Sequence, residues 1–288
     1  SVGKLSNLEK SLSGKGLSGT TGIGHTRWAT HGKPSEQNAH PHRSGGCVLV
    51  HNGIIENYLP LKQQLLKEGF RFESETDTEV VAHLVVKHMK EGKSLSDAVL
   101  AATKEIRGSY AIAAVCEGEP HTLVVARSGC PLVIGRNGKS SLVASDVMAM
   151  LAHTRDVTYL EEGDLAVVTP TDIRVMDSKG QPVTRVETAI TWDADAAEKS
   201  GYPHFMLKEI HEQPQTILDT LRGRYSFETG EADLPDLSLT HEQLKAAGKI
   251  WIVACGTSWH SGLVGKYLFE EMVKTPVQVD IASEFRYR

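Results

Sequence analysis

The stretch between His25 and Gly53 concentrates side chains that can do chemistry. His25-Thr26-Arg27-Trp28-Ala29-Thr30-His31-Gly32 is followed by Asn38-Ala39-His40-Pro41-His42 and then by His51-Asn52-Gly53. Taken one at a time, these histidines suit capping and turn positions as well as proton transfer. His40 and His42 could bind zinc, but no cysteine or carboxylate stands beside them at metal spacing, so no metal is expected. Asn52-Gly53 has two meanings. After an apolar run it is the usual dipeptide of a tight hairpin turn. An amide side chain next to an unobstructed glycine N–H is also what an oxyanion hole needs, two fixed donors aimed at a developing negative oxygen. A second cluster, Cys255-Gly256-Thr257-Ser258, lies between an apolar run and a helical pattern. Helix N-terminal amides, two hydroxyls and a glycine could converge there on a phosphate, and a plainly capped helix fits the same residues.

The elements that must position these groups change character along the chain. Residues 48–50, 110–115, 122–126, 132–134, 142–144 and 165–168 are short β-branched and apolar runs bounded by Gly, Pro, Asp or Ser, which predicts a large, mainly antiparallel sheet system. Between them, Thr76-Asp77-Thr78-Glu79 has capping-box spacing, and the apolar stripe Val80, Val81, Leu84 and Val85 follows it. Residues 94–106 repeat this form and are closed by Gly108. Strands flanked by helices predict a layered α+β domain. Periodicity is lost and charge collects from about 186 to 202, which predicts a linker or a surface crossing. A helical stretch begins at His204, and Pro214 is expected to end or kink it. After Lys249 the pattern becomes strand, turn, helix, strand, with the second strand at 277–281, which is a βαβ unit and the seed of a parallel sheet.

Composition narrows the function classes. With 31 basic against 36 acidic residues there is no long-range attraction for polyanions, so nucleic acid and anionic membrane are not expected as partners. No apolar run reaches the roughly 18 residues that span a bilayer, and no leader pattern opens the chain, so a cytoplasmic location is expected. Cys47, Cys116, Cys130 and Cys255 show no paired spacing and are expected as free thiols, with Cys47 in the core.

Four motifs, in order and at matching spacing, resemble the glutamine:fructose-6-phosphate aminotransferase (glucosamine-6-phosphate synthase) family: residues 26–32, 38–42, 50–57 and 74–79. The resemblance continues through 202–210 into 255–258 and covers essentially the whole chain. It implies an N-terminal-nucleophile hydrolase sandwich of αββα type over residues 1–177, a linker and connecting helix over 178–239, and the start of a sugar isomerase (SIS) domain with a parallel sheet over 240–288. It further implies L-glutamine and D-fructose 6-phosphate as substrates, internal transfer of ammonia, no cofactor, no metal, and a homodimer formed through the isomerase domains. Carried onto this sequence, Arg27 would bind the glutamine α-carboxylate and Asp77 the α-ammonium group, although Asp77 also stands at a helix-capping position. Thr30 and His31 would belong to a loop closing over glutamine, Trp28 would stand near the ammonia exit, and His40 would support the site from behind. Asn52 and Gly53 would be the oxyanion donors, and Gly256, Thr257 and Ser258 would hold the sugar phosphate. The family's nucleophile is an N-terminal cysteine whose own amino group acts as base, and Ser1-Val2-Gly3-Lys4 resembles sequence downstream of it, so this chain by itself is expected to be inactive. Two rivals are another glutamine amidotransferase of the same type, of the phosphoribosyl or asparagine-forming kind, and a non-catalytic glutamine and sugar-phosphate sensor. The isomerase-like opening argues against the first.

Overall fold

The structure, a computed structural model, describes residues 2–14, 18–27, 32–138, 140–191, 202–221, 224–226, 229–232, 234, 237–285 and 287. The chain divides into two compact units, Ser1–Gly201 and Tyr202–Arg288. In chain order the first holds α1 (Leu5–Leu12), β1 (His42–Ser44), β2 (Cys47–Ile55), α2 (Tyr58–Lys67), α3 (Thr78–Lys90), α4 (Leu95–Glu105), β3 (Gly108–Cys116), β4 (Leu123–Ser128), β5 (Val133–Arg136), β6 (Ser141–Ala144), β7 (Asp156–Tyr159), β8 (Leu165–Val168), β9 (Ile173–Met176), β10 (Pro182–Val183) and β11 (Glu187–Ala189). They build two antiparallel sheets, one ordered β1-β2-β3-β4-β8-β9-β10 and one ordered β11-β7-β5-β6.

Period-two alternation explains the layers. Ile112 and Ala114 of β3, Val124 and Ala126 of β4, and Leu165 and Val167 of β8 pack with α2, α3 and α4 on one face of the larger sheet. Their in-between neighbours Ala111, Val125, Ala166 and Val168 pack on the opposite face against Leu132 and Ile134 of the second sheet's side. Because both faces of these strands are covered, their sequences are near-continuous apolar runs. On the far side of the second sheet, Val133 and Val157 pack with Met150 and Leu151, which follow a short 3₁₀ turn at Val147–Ala149. Cys47 is fully buried, and burial pushes its thiol up to about 12, which makes it an inert core residue.

α4 is capped as its sequence predicts, with Ser94 Oγ accepting from the Asp97 N–H at 3.2 Å. The stretch after 177, expected as a linker, instead contributes β10, paired with β9, and β11, paired with β7. Strands of two and three residues are too short to leave an alternation in sequence. At Gly108, where β3 begins, φ is +115° and an added Cβ would lie 2.2 Å from the Ile54 carbonyl oxygen. Gly108→Ala is therefore expected to destabilise this unit by roughly 2–3 kcal/mol, since both backbone conformation and space oppose it. Urea denaturation checks this, and an unchanged midpoint would refute it.

The second unit holds α5 (Phe205–Leu221), α6 (His241–Lys245), β12 (Ile250–Ala254), α7 (Gly256–Met272), β13 (Val277–Ile281) and α8 (Ala282–Phe285). β12 and β13 pair in parallel, Ile250 opposite Val277 through Ala254 opposite Ile281, with α7 as the crossover. The expected βαβ unit is present. Pro214 does not end α5, which runs through it. The hydrogen bond that proline cannot donate would have gone to Ile210, and both residues are exposed, so water can satisfy that carbonyl. Among the described residues no helix is long and apolar enough to cross a membrane.

Candidate active site

A cavity of about 300 Å³ opens where β2 ends and α3 begins, walled by His25, Arg27, His40, His51, Asn52, Gly53, Ile54, Thr76, Asp77, Thr78 and Ser109. Its geometry follows from the β2 ladder. Gly46 and Glu56, just outside the two ends of β2, accept from Glu117 and donate to Arg107 respectively, and the β2–β3 register places every even-numbered β2 residue in the same hydrogen-bonded class. The odd-numbered residues therefore turn their N–H groups away from β3. β1 covers that edge only as far as Leu49, opposite His42. Beyond it three amides remain. The His51 N–H donates to His40 Nδ1 at 3.4 Å, and the Ile55 N–H donates to Asp77 Oδ2 at 2.8 Å. The Gly53 N–H between them has no partner among the described residues and faces the cavity edge.

Asn52-Gly53 is thus not a hairpin turn. Both lie within β2, opposite Ala111 and Tyr110. Glycine is required at 53, where φ is +123° and a Cβ would stand 2.0 Å from the Ser109 carbonyl oxygen. Asn52 projects from the other face of the strand from His51. Its Oδ1 lies 2.6 Å from His25 Nε2, while Nδ2 has no partner among the described residues.

The other walls are tied to this strand. Arg27, with φ of +39°, donates from its guanidinium to the carbonyls of Lys33 at 3.3 Å and Gly32 at 2.9 Å. Asn38, 3% exposed, donates to the same Lys33 carbonyl at 3.0 Å and to Glu75 Oε2 at 2.9 Å, and accepts from the Glu75 N–H at 2.9 Å. Asp77, also 3% exposed, makes no cap for α3. Its own backbone is already helical, so its carboxylate reaches across to β2 rather than over the helix N-terminus. Glu79 does the closing, accepting from the N–H groups of Glu73 and Ser74 at 2.8 and 2.7 Å. Burial opposes the Glu79 charge, but the His83 ring nitrogen 3.5 Å away and hydrogen bonds from Ser74 and the two backbone amides outweigh it and hold the carboxyl at about 2.

The histidines behind the cavity are neutral. Burial drives His40 down to about 2, reinforced by the neighbouring His25, and drives His51 down to about 4. Burial lowers His42 as well. His51 Nδ1 and His42 Nε2 pair with the hydroxyls of Thr78 at 2.9 Å and Thr76 at 3.1 Å. Among the described residues no group of three or more His, Cys, Asp and Glu could hold a metal ion. Trp28, Thr30 and His31, expected near glutamine, lie outside the described residues.

Residues 25–152 match the family described as Glutamine amidotransferase domain, and residues 243–288 match the SIS domain family. Over 298 aligned residues the chain is 51% identical to the glutamine–fructose-6-phosphate aminotransferase (isomerizing) of Methanosarcina acetivorans, covering 100% of this chain and 48% of the relative. To the protein of the same name from Clostridium tetani it is 47% identical over 288 residues, 99% of this chain and 47% of the relative. The chain carries a glutamine amidotransferase domain followed by SIS-domain sequence, and along its whole length it is similar to glutamine–fructose-6-phosphate aminotransferases. It spans about half the length of the curated relatives it matches. Among solved structures, the glutamine phosphoribosylpyrophosphate amidotransferase from B. subtilis covers 88% of this chain and 50% of its own at 20% identity and a TM-score of 0.45, a distant likeness.

The fold is the one expected from sequence, an α+β sandwich of antiparallel sheets followed by a parallel strand pair in the segment that matches the SIS domain. The first unit brings Arg27, His40, Asn52, Gly53 and Asp77 to one cavity. Gly256, Thr257 and Ser258 belong to the second unit, in the exposed first turn of α7, whose N-cap residue Cys255 offers no side-chain bond to the helix amides. Two residues tied to the cavity were given no role of their own from sequence, His25, which lines it, and Asn38, which shares the Lys33 carbonyl with Arg27. His25 stands just before the motif at 26–32 and Asn38 opens the one at 38–42, but a hydrogen bond to a residue 27 or 37 positions away leaves no local pattern.

Proposed function

We propose that the first unit is the glutaminase half of an enzyme that converts L-glutamine and D-fructose 6-phosphate into L-glutamate and D-glucosamine 6-phosphate, and that the second unit opens its sugar-phosphate half. The observation carrying this reading is the unpartnered Gly53 N–H beside the Asn52 amide, in a cavity that also holds one arginine and one buried carboxylate. A glutamine bound there would have its α-carboxylate forked by Arg27 and its α-ammonium group held by Asp77. Its side-chain carbonyl oxygen would then lie at Asn52 Nδ2 and Gly53 N–H. As a nucleophile adds to the amide carbon, charge collects on that oxygen, where the two donors are already in place. His40 backs the strand through the His51 N–H. Trp28, Thr30 and His31 would complete the cover over the substrate and the exit for ammonia, which must avoid protonation in water. Gly256, Thr257 and Ser258 would receive the phosphate of the sugar at the α7 N-terminus. A homodimer through the isomerase domains and a cytoplasmic location complete the proposal, with the glutaminase carried by the first unit, β10 and β11 included, a connection after it and the isomerase from 240.

Separation of the two half-reactions tests it. In the full-length protein, Thr257→Ala/Ser258→Ala is expected to raise the KM for fructose 6-phosphate by about tenfold or more while leaving glutamine hydrolysis without sugar nearly unchanged. Equal loss of both activities would remove the hydroxyls from a separate sugar-phosphate site. Glutamine binding with no release of ammonia in the full-length protein would favour the sensor instead.

A further inference from the structure

An amide side chain donates to an oxyanion only if its nitrogen, and not its oxygen, is turned toward the substrate. Nothing in asparagine itself chooses between these orientations. At Asn52 the choice is made by His25. The Arg27 backbone N–H points at His25 Nδ1 at 2.8 Å, so that nitrogen accepts and cannot carry the ring proton. The ring proton then sits on Nε2, 2.6 Å from Asn52 Oδ1. A donor at this position captures the carbonyl end of the amide and leaves Nδ2 to the cavity. The ring is further held by His40, whose centroid is 4.2 Å away. Arg27 reaches this arrangement with a left-handed backbone, unusual for a side chain of its size.

We propose that His25 is the positioning residue of the oxyanion hole, locked in its Nε2–H tautomer by the Arg27 backbone and fixing which end of the Asn52 amide meets the substrate. One imidazole thereby joins the backbone of the carboxylate-binding arginine to the oxyanion donor. The inference rests on the glutaminase reading above.

The test uses steady-state glutamine hydrolysis by the full-length protein and its His25→Phe, His25→Gln, His25→Asn and Asn52→Ala variants, with the His25→Phe/Asn52→Ala double variant. Without His25 the amide turns freely, so His25→Phe is expected to lower kcat by roughly 10–100-fold and to change KM by less than about threefold. Gln can bring an N–H to the Nε2 position and Asn cannot, so His25→Gln is expected to retain about tenfold more kcat than His25→Asn. That comparison decides even if the Phe variant does not fold. In the Asn52→Ala background the added His25→Phe change should cost little more, because the group it positions is gone. A rise in KM with kcat intact, equal kcat for the Gln and Asn variants, or fully multiplicative losses in the double variant would each overturn the proposal. If Asn52→Ala itself leaves kcat intact, the glutaminase reading fails rather than the role of His25.

Discussion

Asn52→Ala is expected to lower kcat for glutamine hydrolysis by on the order of 10²–10³, equivalent to roughly 3–4 kcal/mol of transition-state stabilisation. The glutamine KM should move little. A planar amide oxygen carries only part of a charge, and the donors matter most when the carbon becomes tetrahedral and the oxygen takes a full one. The substitution is mild for the fold. Asn52 is only half-buried, its backbone stays in the β2–β3 ladder, and its side chain pairs with His25. Steady-state kinetics of the full-length protein, together with a thermal melt to exclude unfolding, make the measurement. A kcat close to that of the parent would remove Asn52 from the oxyanion hole, and an equal fall in affinity would make it a ground-state binding residue instead.

The second large effect concerns the two ends of the amino acid. Asp77→Asn removes the charge facing the α-ammonium group but keeps an acceptor for the Ile55 N–H, so the strand end should hold while the glutamine KM rises by about 10²-fold. Arg27→Lys keeps its charge and loses the planar fork, and a rise of at least tenfold is expected, about 1.4 kcal/mol. The pair discriminates between charge and geometry. For an analogue whose α-carboxylate is esterified, the arginine substitution should lose most of its effect while that of Asp77 persists. An unchanged KM in either variant takes that residue out of the site.

More of the residues that line the cavity than of the scaffold around it were legible in the sequence. Arg27, Asn52, Gly53 and Asp77 could be named because family motifs carry them, and the larger strands because their faces are covered on both sides and leave long apolar runs. β1, β7, β9, β10 and β11 were not legible, since strands of two to four residues give alternation no room to repeat and these, unlike the equally short β5, β6 and β8, lie on no run of three apolar residues. Asp77 shows a different difficulty. Its neighbours have the spacing of a helix cap, but the backbone angle at 77 directs the carboxylate elsewhere, and such an angle is set by the packing of α3 on β2. For Asn52-Gly53 the dipeptide's usual meaning as a turn was overruled by pairing with Ala111 and Tyr110, a contact that no window of local sequence contains.

The alternation along β2 has a consequence for how this site could ever change. Whether an amide is spent on the neighbouring strand or left for a ligand depends on whether its residue number is odd or even in the pairing with β3. A shift of one residue would exchange the two classes, sending the Gly53 N–H into the sheet and the residue-52 side chain to the helical face. The smallest displacement that preserves parity is two residues, about 6.8 Å, far larger than any adjustment a bound amide could tolerate. An oxyanion donor at Gly53, as proposed, is therefore quantised. Its strength can drift through the side chains around it, but its place on the strand can only be kept or lost.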